Sequence, residues 1–167
     1  MIILLNGPLG IGKSTLSEAL TERVDWCAML DGDHLIELNP PPANEQETLL
    51  SVSTLLIAHY QSVGYRNFVL NHLWTVPADL SQFRAKLSEL DSDVHCFRLT
   101  LPVEENLRRI ERRASATGLD RSYELEVFAE EHTVFSGCYG HELGVPLDAS
   151  SSPGELASQV LALLGLH

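Results

Sequence analysis

The sequence predicts an α/β domain built on a parallel sheet, and three observations carry that prediction. Strand-like and helix-like segments alternate from one end of the chain to the other. The first of them, Met1-Ile2-Ile3-Leu4-Leu5, is an uninterrupted apolar run of the kind required of a strand buried on both faces. A glycine-rich loop over residues 7–14 then joins that run to an amphipathic segment.

Taken in order, Leu16, Ala19, Leu20 and Val24 recur at helical spacing over residues 14–24. Ala28-Met29-Leu30 reads as a second strand that runs out at Asp31. Asn39-Pro40-Pro41-Pro42 is a stiff loop, since consecutive prolines enter neither a helix nor a central strand. Leu49, Val52, Leu56 and Tyr60 mark one face of a helix that Gly64 stops. Phe68-Val69-Leu70 is a third strand, Leu80, Phe83, Leu87 and Leu90 a helical stripe, and residues 94–99 a fourth strand. Pro102 suits the first turn of a long helix carrying Val103, Leu107, Ile110 and Ala114 on one face. Residues 115–139 are the least regular and read as mixed helix and loop. Val145-Pro146-Leu147 is a short fifth strand, and its proline belongs at a sheet edge. Ser152-Pro153-Gly154-Glu155 combines a capping box with proline at the first helical position, opening a final helix with Leu156, Val160, Leu163 and Leu164 apolar. No repeat or linker interrupts the pattern, so residues 1–167 are expected to form one domain.

Composition narrows the function classes. Hydrophobic content of 44% and charged content of 20% suit a soluble globular protein, and no apolar run approaches a membrane span. The opening apolar stretch is too short, and lacks the basic flank, for a signal peptide. Cys27, Cys96 and Cys138 are scattered without C-x-x-C spacing, which favours reduced thiols in a cytoplasmic protein over a disulfide or zinc framework. A net charge of −12 argues against a nucleic-acid partner. The two lysines are Lys13 and Lys86, and five of the nine arginines lie between Arg108 and Arg121. Positive charge concentrated at two places suits a small anionic ligand.

The loop Gly7-Pro8-Leu9-Gly10-Ile11-Gly12-Lys13-Ser14 matches the P-loop pattern G-x-x-x-x-G-K-[ST]. Glycines let the backbone wrap its N–H groups around a β-phosphate, at the N-terminus of the following helix. The Lys13 ammonium reaches the β- and γ-phosphates, and Ser14 ligates Mg²⁺. With Thr15, the loop is therefore expected to bind ATP or a related nucleoside triphosphate. Asp31-Gly32-Asp33 stands where the second strand ends, at the sheet edge that carries the loop. In extended chain, residues two apart point to the same side, roughly 6.5 Å from each other. Phosphoryl transfer needs such a pair, one acid serving Mg²⁺ and one accepting the proton of an attacking hydroxyl. The competing reading is an Asp-Gly turn with solvated acids.

Residues 7–15 followed by Leu30-Asp31-Gly32-Asp33 resemble the small-molecule kinases of the P-loop nucleoside-monophosphate-kinase-like superfamily, such as gluconate, shikimate and adenylylsulfate kinases and chloramphenicol phosphotransferase. The resemblance implies a three-layer fold, with the five strands ordered 2-3-1-4-5, helices on both faces, and a small lid over about residues 112–130. It assigns acceptor contact to Asp33 and Mg²⁺ positioning to Asp31. Residues 101–113 resemble the helix that leads into the lid. Arg109 and Arg112 are expected on the nucleotide and the moving phosphoryl group, Arg108 and Arg113 less so, with Arg121 a further lid candidate. A solvated, salt-bridged helix face is the alternative.

Where many P-loop proteins carry an aspartate after the third strand, this chain has Asn71-His72. That speaks against a motor-type ATPase and increases the weight on Asp31 and Asp33. In the resembling kinases this strand end faces the acceptor, so Asn71, His72 and Trp74 are candidate substrate contacts, as is His34. Asp148 and Ser150 are candidates beside the adenine. Few arginines remain for a charged acceptor, which favours a neutral hydroxylated small molecule. The alternatives are a nucleotide kinase, with Arg66 or Arg84 on the acceptor phosphate, an ATP-binding regulatory protein without an acceptor, and a polynucleotide or toxin-type kinase. Oligomeric state is not legible.

Overall fold

The computed structural model describes residues 1–118, 120–137 and 142–166. Cys138 and Tyr139, and Leu119 of the expected lid, lie outside them. The elements run β1 (Ile2–Asn6), α1 (Lys13–Thr21), β2 (Cys27–Asp31), α2 (Gly32–Leu35), α3 (Glu45–Ser62), β3 (Asn67–His72), α4 (Pro77–Leu87), β4 (Val94–Thr100), α5 (Val103–Thr117), α6 (Arg121–Ser136), β5 (Val145–Asp148) and α7 (Pro153–Leu163). The five strands are parallel in the order β2-β3-β1-β4-β5. Pro146 therefore sits on an edge strand, where its missing N–H costs no ladder bond.

Alternation along the central strand builds two cores. Ile2 and Leu4 pack with Phe68, Leu70, Leu49, Ile57, Leu80 and Phe83, beneath α3 and α4. Ile3 and Leu5 pack with Val69, Leu16, Leu20, Leu156 and Val160, beneath α1 and α7. β1 is buried on both faces, which is why its sequence shows no polar alternation.

Several local expectations shift. The buried line of α3 is Leu49, Ser53 and Ile57, so a polar residue sits at the centre of a face read from apolar residues alone. On α5 the buried residues are Asn106, Ile110 and Ala114. The segment expected to be irregular holds a regular helix, α6, capped by the Asp120 carboxylate on the N–H groups of Ser122 and Tyr123. The capping box at Ser152 and Glu155 forms as expected. Cys27 is half-buried, and burial pushes the Cys96 thiol up to about 12. Among the described residues, no helix is long and apolar enough to cross a membrane.

Gly32 joins β2 to the end of β3. A Cβ there would lie 2.8 Å from the Asn71 carbonyl oxygen and 2.8 Å from His72 Cβ. Gly32→Ala is expected to destabilise the fold by about 1–3 kcal/mol through overpacking, read as a lower denaturant midpoint. An unchanged midpoint would show that the two strand ends separate at no cost.

Candidate functional site

The P-loop leaves β1 after Asn6 and enters α1 at Lys13. Gly10 and Gly12 adopt φ +74° and +108°, a region that L side chains rarely enter. A Cβ on Gly10 would also fall 2.4 Å from Ile110 Cγ1, so glycine is what lets the loop lie against α5. From α5, the Asn106 side-chain amide donates to the Leu9 carbonyl (3.2 Å) and Arg109 donates to the Ile11 carbonyl (3.3 Å). Arg109 also donates to the Ala149 carbonyl at 2.9 Å, tying the loop to the segment after β5. These bonds fix the loop's shape and leave it open to solvent on the other side.

Lys13 folds over the loop and donates to the Gly7 carbonyl at 2.6 Å and the Pro8 carbonyl at 3.3 Å. Burial holds its ammonium below the usual lysine range, against the opposing pull of Asp33, Glu131 and Asp31. The residues around it, Pro8 through Thr15 with Asp33, Arg109 and Arg113, line one concave pocket. A second cavity adjoins it across Arg109, between the loop, Leu16, Ser150, Pro153 and Leu156.

The two acids stand together, but not in extended chain. Asp31 ends β2 and caps α2, its Oδ1 accepting from the N–H groups of Asp33 (3.2 Å) and His34 (3.4 Å). This cap turns the chain into a short helix, which corrects the expected strand geometry. Asp31 Oδ2 accepts from Ser14 Oγ at 3.1 Å. A hydroxyl and a carboxylate meeting beside the phosphate loop are hard oxygen donors, a set that fits Mg²⁺. Asp33 Oδ1 lies 3.0 Å from His72 Nδ1, and this hydrogen bond holds the Asp33 carboxyl below the usual range, helped by the Lys13 charge and opposed by burial. Asp33 stays ionised while His72 orients it.

Three of the other candidates lie elsewhere than expected. Trp74 is fully buried against Phe83 and His72, with ring centroids 5.1 Å away in both cases, and its backbone is held by the Asn6 side chain. It is a core residue rather than a substrate contact. Asn71 is buried too, and donates to Ser17 Oγ at 3.2 Å, joining β3 to α1. Arg112 points into solvent at 74% exposure and meets Glu105, away from the loop. Arg113, the less expected of the two, stands where Arg112 was expected and lines the pocket of the loop while paired with Glu124. The buried line Asn106-Ile110-Ala114 explains this. Arg109 and Arg113 flank that line, whereas Arg108 and Arg112 stand about 160° away from Ile110 at 100° per residue. His34 is exposed, its Nδ1 3.8 Å from Asp31 Oδ1. Arg121 meets Glu111 at the surface.

One site residue had no signal in the sequence. Glu131 on α6 accepts from the Leu9 N–H at 2.6 Å. Burial raises its carboxyl above the usual range, opposed by that bond and by Lys13.

Residues 2–137 match the family model described as an AAA domain. No curated protein matches the chain by sequence. Solved structures share its fold. The tunicamycin resistance protein of Deinococcus radiodurans is 20% identical over 99% of this chain and 96% of its own, with a TM-score of 0.68. Shikimate kinase from Bacteroides thetaiotaomicron is 16% identical over 99% of both chains, with a TM-score of 0.66. The APS kinase of Mycobacterium tuberculosis, solved with AMPPNP and APS, is 18% identical over 98% of this chain and 96% of its own, with a TM-score of 0.65.

Proposed function

Because the chain belongs to the AAA domain family, we propose that it is an ATP- and Mg²⁺-dependent kinase that transfers phosphate to a hydroxyl of a small molecule. The observation that carries this reading is the meeting of three parts at one sheet edge: the P-loop with Lys13, the Ser14–Asp31 pair, and Asp33 held by His72. The presence of a shikimate kinase and an APS kinase among the structures of this fold supports it.

In this reading the loop amides and Lys13 bind the triphosphate. Ser14 and Asp31 hold Mg²⁺, which neutralises charge on the phosphates when bound. The second cavity, with Leu16, Pro153 and Leu156, takes the base beside Ser150. Asp33 accepts the proton of the acceptor hydroxyl, which it receives in ionised form because His72 holds it so. Arg109 is committed to two carbonyls and shapes the loop, and Arg113 is the arginine placed to meet the phosphates. The acceptor is a neutral hydroxylated metabolite, sugar or antibiotic, and the protein acts in the cytoplasm as one domain without nucleic acid or membrane partners.

The test is ADP release with ATP and Mg²⁺ against a panel of hydroxylated compounds, with the product identified by mass spectrometry. ATP binding without turnover on any acceptor would favour a regulatory nucleotide-binding protein, and turnover confined to nucleoside monophosphates a nucleotide kinase. Within that assay, Arg113→Ala is expected to lower kcat roughly a hundredfold to a thousandfold, the scale of one lost charge-stabilising group. Arg112→Ala should stay within about twofold, because an exposed ion pair contributes little. The reverse order would return Arg112 to the site.

A further inference from the structure

Helix α6 turns Glu124, Phe128, Glu131 and Phe135 inward, Glu131 half-buried and the other three buried, so carboxylates alternate with aromatic rings along one line. Spacing of seven residues stacks the two acids two turns apart on one face. An acid on a packed helix face is expensive unless something answers its charge. Both are answered by groups that a nucleotide's phosphates also need. Glu124 pairs with Arg113, the arginine lining the phosphate pocket. Glu131 accepts from the N–H of Leu9, a member of the P-loop, at 2.6 Å. Leu9 lines the same pocket as Lys13 and Asp33, so the carboxylate on its N–H stands beside the place of the phosphates.

We propose that α6 is a phosphate-mimicking latch, in which Glu131 competes with the terminal phosphate of a nucleoside triphosphate for the Leu9 amide while Glu124 competes for Arg113. This rests on the reading of the P-loop as a triphosphate site. Lys13 reaches the β- and γ-phosphates, so the γ-phosphate arrives where Glu131 stands. Two anions do not share one amide, and the triphosphate prevails because it also engages Lys13 and the rest of the loop. A diphosphate ends short of Glu131 and leaves it on Leu9. The position of α6 thereby depends on whether the bound nucleotide carries its third phosphate, and the helix is freed to reseat around an acceptor only when there is a phosphate to transfer.

Calorimetric titration of ATP and ADP, each with Mg²⁺, into the protein and its Glu131→Gln and Glu124→Gln variants tests this. Glu131→Gln is expected to tighten ATP binding about tenfold, the equivalent of one charge-assisted hydrogen bond, and to move ADP binding by less than about twofold. Glu124→Gln should tighten ATP in the same direction. Equal tightening of both nucleotides, no change, or weaker ATP binding overturns the latch while leaving the nucleotide site intact. Absence of binding of either nucleotide by the parent and both variants defeats the nucleotide-site reading itself. Should the variants fail to fold, hydrogen exchange on the parent protein decides. Amides of α6 should exchange faster with ATP than with ADP, and equal rates overturn the proposal.

Discussion

Replacing Lys13 by alanine is expected to cut ADP formation on the order of a thousandfold while leaving the protein at least as stable as before. The rate argument rests on position. Lys13 is the one ammonium lining the pocket made by Pro8 through Thr15, and no second lysine lies in that part of the chain to replace it. Arg109 is bound to two carbonyls and Arg113 to Glu124, so neither substitutes for the lost charge without giving up a partner. The stability argument runs the other way. Burial depresses the Lys13 ammonium, which means that the folded protein holds this charge at a cost. Its carbonyl contacts at Gly7 and Pro8 offset part of that cost only. A Tm equal to or above that of the parent, together with lost turnover, marks a group kept for function. A lowered Tm with retained turnover would make Lys13 a structural brace and take the loop out of the chemistry.

How much of this was legible beforehand depends on where the information sits in the chain. The P-loop is written in consecutive residues, and each glycine and the lysine answers a local demand, so motif and structure agree residue by residue. Strand order is a long-range property, and the edge position of β5 had one local mark, Pro146. The arginine helix was legible in principle. Choosing among Arg108, Arg109, Arg112 and Arg113 needed the buried line, and that line passes through Asn106, a polar residue whose side chain holds the loop. The resemblance named Arg109 and Arg112 without that line, which turns Arg113 rather than Arg112 towards the loop. Trp74 misled for a different reason: it follows a strand end, where loop residues are expected, yet its ring turns back into the core against Phe83. Helix α6 was invisible because periodicity is sought in apolar residues, and half of its packed line is glutamate. Charges answered across the fold, as Glu131 is by Leu9, 122 residues away, leave no local pattern.

Asp33→Asn is expected to keep ATP affinity and lose phosphate transfer by about a hundredfold to ten-thousandfold, the range for removing a general base. Asparagine has the same shape and can still meet His72, so the geometry of the strand ends should survive. What disappears is the negative charge that accepts a proton. Asp31 cannot take over, since its Oδ1 is occupied by the α2 cap and its Oδ2 by Ser14. His72 is too buried to reach an acceptor in its place. The parent environment matters for the interpretation. Hydrogen bonding to His72 and the Lys13 charge keep Asp33 ionised to lower pH than a free aspartate, so protonation of Asp33 affects transfer only on the acidic side of the ordinary carboxylate range. In that window the acid limb of kcat should belong to Asp33, and it should move towards higher pH when His72→Ala removes the hydrogen bond. Retained transfer in Asp33→Asn would assign proton acceptance elsewhere. An acid limb unmoved by His72→Ala would show that the histidine orients nothing in the reaction, whatever its distance from the acid.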